Sequence, residues 1–171
     1  EAFLRDVYGP ADLVSEGALP AAALTGSRDF LPAMRGVEPS GGKHLRFFAC
    51  DIGRGPDGRW WVLEKRAQAP SGAGYALENR LAMMRATGGL LTSIHAERQS
   101  DFLDALRQGL AQSCERADPR IALLTPGRFN QAYPEQAHLA RHLGFSLVEG
   151  RDLAVRDGRL YIRTIAGLKR I

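Results

Sequence analysis

Apolar and polar positions change rhythm several times along the chain, and each rhythm predicts a different kind of element. Residues 1–42 are broken by YGP (8–10), Pro20, Gly26, Pro32, Gly36 and PSGG (39–42). Such punctuation leaves room only for short helices, predicted around 2–7 and 10–16 with a third beginning near Pro20. From His44 two apolar, aromatic-rich runs follow, HLRFFACDIG (44–53) and RWWVLEKR (59–66), with RGPDG between them. Proline presets φ and glycine accepts positive φ at such a corner, so the two runs read as an antiparallel hairpin.

Beyond the hairpin the period lengthens. A helix is predicted from about 74 to 86, with Tyr75, Leu77, Leu81 and Met84 as candidate buried positions and Gly88–Gly89 as its stop. Residues 95–116 predict a longer helix, since Phe102, Leu103, Leu106 and Leu110 recur at steps of three and four. Asp118–Pro119 end it. RIALLTPG (120–127) then carries a continuous apolar run, as expected of a parallel strand covered on both faces. PEQAHLARHLG (134–144) has proline in its first turn and glycine at its end, the usual asymmetry of a helix. FSLVEG (145–150) completes a strand–helix–strand unit, and LAVRDGRLYIRTI (153–165) predicts a hairpin turning on Asp157–Gly158. There is no internal repeat.

Composition narrows the class. The chain has 171 residues, 44% of them hydrophobic and 25% charged, which suits a globular protein with a core. No apolar run approaches the roughly 18 residues that cross a bilayer, and the charged start is no signal peptide. Cys50 and Cys114 form no CxxC pair, so neither zinc nor a disulfide framework is indicated, and a reduced, cytoplasmic setting is expected. The net charge of +4 comes mostly from arginines scattered along the chain, the only lysines being Lys43, Lys65 and Lys169. Scattered guanidinium groups suit ion pairs and phosphate or carboxylate binding, and argue against a nucleic-acid-binding arm. Both ends read as cut from a longer chain.

Four places carry candidate chemistry. The loop in APSGAGYALENR (69–80) lacks the GxxxxGK[ST] of a P-loop, and Leu77 stands where a dinucleotide fingerprint needs its third glycine. It reads either as an anion-binding turn at a helix N-terminus or as a plain loop-to-helix cap. Asp51 and Glu64 lie on the two hairpin strands, and Glu64 follows Trp61, Val62 and Leu63. Paired carboxylates suit a hard cation such as Mg²⁺, whereas a salt bridge to Arg46, Arg54 or Arg66 is the local alternative. His138 and His142 share a helix face with Glu135 one turn earlier, but no third metal ligand accompanies them. Glu149 and Asp152 follow the second strand of the unit and Thr125–Gly127 the first, so these loops are expected to share the rim where open α/β sheets bind ligands.

Taken in order, YGPADLVSEGALP, DIGRGPDGRWWVLEKRAQAPSGAGYALENR, RIALLTPG and LARHLGFSLVEGRDLAVRDGRLYIRTIAGLKRI resemble the circularly permuted ATP-grasp family over nearly the whole chain. These are bacterial proteins related to the synthetase part of glutathionylspermidine synthase, often known only as domains of unknown function. The resemblance implies an α/β fold, circularly permuted and incomplete. An α+β metal-binding part comes first (1–93), a connecting helix next (94–117), and a Rossmann-like pre-ATP-grasp part last (118–171). The chain would stop where the remaining ATP-clasping lobe of the same polypeptide begins.

By the same resemblance the expected activity is that of an ATP-dependent carboxylate–amine ligase acting through an acyl phosphate on small-molecule substrates. No nucleic acid or membrane is expected as a partner, and the chain alone is expected to be inactive. ATP and Mg²⁺ are the implied cofactors. Asp51 and Glu64 match metal-site positions, and Arg54 and Arg66 are the catalytic candidates. Ser71, Gly72, Gly74, Glu78, Asn79, Arg80, Glu149 and Asp152 are the candidates for binding the cofactor, with Ser71 and the amides of Gly72 and Gly74 expected to face phosphate or substrate. Where many members end the second strand in Glu-Asp-Asn, this chain has Glu64-Lys65-Arg66. Arginine offers donors and no lone pair, so Arg66 cannot ligate Mg²⁺. It would meet a phosphate directly, or the site would be inactive and the protein a metabolite- or partner-binding relative.

Overall fold

The computed structural model describes residues 1–171. They divide into two compact units, Glu1–Pro70 and Ser71–Ile171. The first unit opens with three short helices, α1 (Ala2–Tyr8), α2 (Asp12–Ser15) and α3 (Ala21–Thr25), ending where the glycines and prolines require. Asp6 caps α2 from outside, its two carboxylate oxygens accepting the amides of Asp12 and Leu13 at 2.8 and 3.2 Å. Tyr8 gathers the following segment: its ring lies 5.4 Å from Phe30, and its hydroxyl accepts the Leu31 amide at 3.2 Å. Beside it Val7 is fully buried.

The hairpin follows as β1 (Ala49–Arg54) and β2 (Trp60–Arg66), antiparallel as the sequence predicts. The first strand begins five residues later than the apolar run does. The amides of His44 and Leu45 are instead given to the Glu1 carboxylate, at 3.1 and 3.0 Å. The ladder pairs Asp51 with Glu64 and then Ile52 with Val62, so Leu63 is the extra residue of a bulge. Trp60, Trp61, Val62 and Leu63 are all more than half exposed, as a two-stranded ribbon has no third layer to cover either face.

The second unit starts with α4 (Ala73–Thr87), closed by Gly88 in the left-handed conformation. A short α5 (Leu90–Ser93) follows, then α6 (Gln99–Ala111). Sequence periodicity runs the longer helix from 95 to 116, but His95 takes a positive φ and separates α5 from α6. Next come β3 (Ala122–Leu124), α7 (Tyr133–Leu143) and β4 (Ser146–Val148), with β3 and β4 parallel. A three-stranded antiparallel sheet closes the chain: β5 (Leu153–Arg156), β6 (Arg159–Thr164) and β7 (Gly167–Arg170). Asp157 and Gly158 both have positive φ, which gives the β5–β6 hairpin its tight turn.

The core of this unit is Leu77 of α4, Leu103 of α6 and Leu143 of α7, with Leu106, Leu139 and Phe145 packed on them. Thus α6, which the sequence reading makes a connector, is part of the second unit, and the boundary falls at 70/71. Of the expected buried face of α4, Leu77 is buried, whereas Tyr75 and Met84 are half exposed. The two helices α4 and α7 meet closely at Gly74. A Cβ there would lie 2.7 Å from Glu135 Cγ and 2.8 Å from the Glu135 carbonyl oxygen. We therefore expect Gly74→Ala to lower stability by about 3 kcal/mol, the upper end for overpacking, because one obstacle is backbone. Urea denaturation measures it.

Candidate functional site

The antiparallel register puts Asp51 and Glu64 directly opposite one another, hence on one face of the ribbon. Arg66, two residues beyond Glu64 in the same strand, returns to that face. Two like charges in opposed positions destabilise the pair, and the repulsion is relieved by a cation between them. The Arg66 guanidinium supplies it: one nitrogen, Nη2, donates to Asp51 Oδ2 and to Glu64 Oε2, each at 2.9 Å. All three side chains keep about half of their surface in water, at 50%, 58% and 45% for Asp51, Glu64 and Arg66. The hydrogen bond from Arg66 holds the Asp51 carboxyl below the usual aspartate range, against an opposing effect of burial, and the same contact raises the Arg66 guanidinium. Of the salt-bridge partners open in the sequence, the structure selects Arg66. No third His, Cys, Asp or Glu joins the pair in a metal-holding group.

Arg54 is not part of this cluster. Its Nε donates to the Gly58 carbonyl at 3.2 Å and its guanidinium lies 5.9 Å from the Trp60 ring, so it braces the hairpin turn.

In the second unit the glycine loop corrects an expectation. The amides of Gly72 and Gly74, directed by the sequence reading at phosphate or substrate, both donate to Glu135 Oε1, at 2.5 and 3.1 Å. Glu135 sits in the first turn of α7 and is 3% exposed. Its carboxylate occupies the N-terminus of α4, where the first amides lack helical partners and the dipole favours negative charge. The loop is an anion-binding turn whose anion is a side chain of the same unit. Glu135 Oε2, also buried, has no hydrogen-bond partner. Ser71, before these amides, is exposed.

The three polar residues of LENR separate. Glu78 Oε2 lies 3.5 Å from His138 Nε2, and His138 stacks near His142 with ring centroids 6.2 Å apart. Asn79 is exposed. Arg80 is committed: Nη1 donates to the Glu97 carbonyl at 2.6 Å and Nη2 to that of Ala96 at 3.1 Å, fixing the segment ahead of α6 to α4.

The loops after β3 and β4 lie side by side, as their shared rim requires. A Cβ on Gly127 would stand 3.2 Å from the Glu149 carboxylate. Buried Thr125 organises the first loop, its hydroxyl donating to Gln136 Oε1 at 2.6 Å and accepting the Gly127 amide at 3.1 Å. Glu149 and Asp152 form a reciprocal capping box around the short turn between them, with the Glu149 amide donating to Asp152 Oδ2 at 2.8 Å. Arg151 Nε also lies 3.2 Å from Glu149 Oε2. These two acids therefore have structural work at the rim.

The profile of a family described as circularly permuted ATP-grasp type 2 matches residues 1–171. The chain belongs to that family. Circularly permuted ATP-grasp relatives of similar sequence include an uncharacterized protein of Mycobacterium tuberculosis, 38% identical over 100% of this chain and 20% of its own length. Another, from Synechocystis, is 36% identical over 99% of this chain and 36% of its own length. A Mycobacterium leprae protein is 34% identical over 100% of this chain and 31% of its own. The chain thus spans about a fifth to a third of these ATP-grasp relatives. Membership and the mixed helices and strands agree on an α/β class, and the ATP-grasp family typically binds ATP and Mg²⁺. No helix is long and apolar enough to cross a membrane.

Glu135 enters the sequence reading only as a neighbour of the histidines. Its signal was available, since a Ser-Gly-x-Gly turn opening a helix needs an acceptor, and an acid follows proline at the start of α7. We expect Glu135→Ala to destabilise the chain by about 2–3 kcal/mol, because the Gly74 amide is left buried and unpaired. Glu135→Gln, which keeps an acceptor but loses the charge, is expected to cost about 1 kcal/mol. Thermal and urea unfolding of both variants provide the check. For Asp51, whose pKa is depressed, the ion-pair contribution is complete above the ordinary aspartate pKa and disappears as pH falls through the lowered value. Arg66→Gln should move the Asp51 titration upward in carboxyl-resolved NMR; an unmoved midpoint would contradict the bridge.

Proposed function

We propose that residues 1–171 carry part of an ATP-dependent carboxylate–amine ligase, with Asp51 and Glu64 as the protein ligands of a nucleotide-bound Mg²⁺. The supporting observation is the opposed pair of carboxylates converging on one cationic group from a half-exposed ribbon face. Mg²⁺ is commonly held by one or two carboxylates, with phosphate oxygens and water completing six positions, so this donor set suits it. When bound there, Mg²⁺ would neutralise the charge of the phosphate oxygens during transfer.

On this reading Arg66 moves from the carboxylates to a phosphate, a group that guanidinium donors match well. An exposed ion pair is weakly held, so that exchange meets little resistance. The ligase would transfer the terminal phosphoryl group of ATP to a small carboxylate, and an amine would displace phosphate from the acyl phosphate to give an amide. Within the second unit, exposed Ser71 remains a candidate phosphate contact. The amides of Gly72 and Gly74 do not, while Glu135 holds them.

A second reading has its own observation. Arg66 already sits where the cation would, which suits a relative that has lost metal-dependent catalysis and binds a metabolite or partner instead.

Calorimetric titration of MgATP into the natural polypeptide that carries these residues distinguishes the two. The ligase reading expects Mg²⁺-dependent binding that Glu64→Gln weakens at least about tenfold, as loss of a charged metal ligand should. Equal binding by the variant rejects the role of Glu64. No binding by the parent, with binding gained in Arg66→Asn, supports the second reading.

A further inference from the structure

We propose that the second unit contains a binding site for a small organic acid with an apolar chain, in a cleft between α4, α5 and the start of α6. The cleft has a volume of about 660 Å³, within the range of small-molecule sites. Leu77, Leu81 and Met84 of α4 and Leu91 of α5 give it an apolar side. Arg80, Arg98, His95 and His142 give it a polar side on which every ionisable group is basic.

Three features define the ligand. First, no Asp or Glu lines the cleft, so its charge is uncompensated. The nearest acid paired to a histidine of α7 is Glu78, which faces His138 rather than the cleft-lining His142. Arg98 is exposed and has no carboxylate partner, and Arg80 spends only two of its donors on the Ala96 and Glu97 carbonyls. A carboxylate is the group that two forked guanidinium donors recognise best while an apolar chain lies beside them. Second, Gln99 lines the cleft, and its Oε1, covered by the surrounding chain, accepts no hydrogen bond, so turning the amide toward the cleft would give that oxygen a partner there. Leaving such an acceptor unmet is costly, and a ligand N–H or O–H would meet it. Third, the leucine and methionine side chains favour an aliphatic substituent over a bare ion. Together they describe an N-acylated amino acid or a similar carboxylate that carries an amide N–H and no ammonium group. Calling this ligand the ligase's acid substrate rests on the function proposed above, but its binding does not require nucleotide.

The site is testable without ATP or Mg²⁺. N-acetyl-L-leucine, which has a carboxylate, an amide N–H and an isobutyl group, is titrated into the protein while the four histidine imidazoles are followed by NMR. We expect saturable shifts at His95 and His142, with His44 unmoved. Removing one guanidinium contact in Arg98→Gln should weaken binding about tenfold, and so should replacing the acid by N-acetyl-L-leucinamide. Met84→Gln, a change at a half-exposed position, should weaken it severalfold. Absence of saturable binding by the acid, equal binding by the amide, or unchanged affinity in Arg98→Gln would overturn the site. So would inorganic phosphate binding as well as N-acetyl-L-leucine, since that would reduce it to a nonspecific basic patch.

Discussion

The second unit is organised around a carboxylate set beneath a helix N-terminus. Glu135 reaches from the first turn of α7 to two amides at the start of α4, and only a glycine at position 74 lets the helices come close enough. With that contact in place, Leu77, Leu139 and Leu143 share one core, and α6 packs Leu103 against them. Arg80 then fixes the segment between α5 and α6 to the same helix, which shapes the wall of the basic cleft. One hydrogen-bonded charge thus sets the position of several groups that would otherwise be arranged independently.

In the first unit a different constraint applies. Strand register and the bulge at Leu63 set two acids facing each other, an arrangement that a positive group between them stabilises. Arg66 provides that group from within the same ribbon. Because all three groups remain in water, the arrangement is electrostatically satisfied without being rigid. That combination is what a site for an exchangeable cation needs, and it is also what a retired site would look like after an arginine replaced the ion.

Much of the fold could be read from local patterns. Glycine and proline punctuation placed α1 to α3, and the Pro-Asp-Gly and Asp-Gly corners located two hairpins through backbone conformation alone. The strand–helix–strand unit was visible because a continuous apolar run and a helical period need no knowledge of tertiary contacts. What escaped depends on distant partners. The strand starting at Ala49 is shortened because Glu1 takes the amides of His44 and Leu45, 43 and 44 positions away. The helix expected from 95 begins only at Gln99, because His95 takes a positive φ that no propensity announces. The acids at 51 and 64 were legible as belonging to the two strands of one hairpin, but their facing was not, because register carried from the turn would set Leu63 against Asp51 and only the bulge at Leu63 brings Glu64 there. That the glycine loop needs an acceptor was legible too, but which acid supplies it was not, because Glu135 lies more than sixty residues further on.

The exposed β2 strand has a spectroscopic consequence. Trp60 and Trp61 are the chain's two tryptophans, and they stand beside Glu64 and Arg66 on the same short strand. Indole emission from residues 1–171 therefore comes solely from the carboxylate hairpin and reports nothing of their helices. With both rings more than half open to water, that emission lies at long wavelength, and any surface that later covers the ribbon will shift it to the blue.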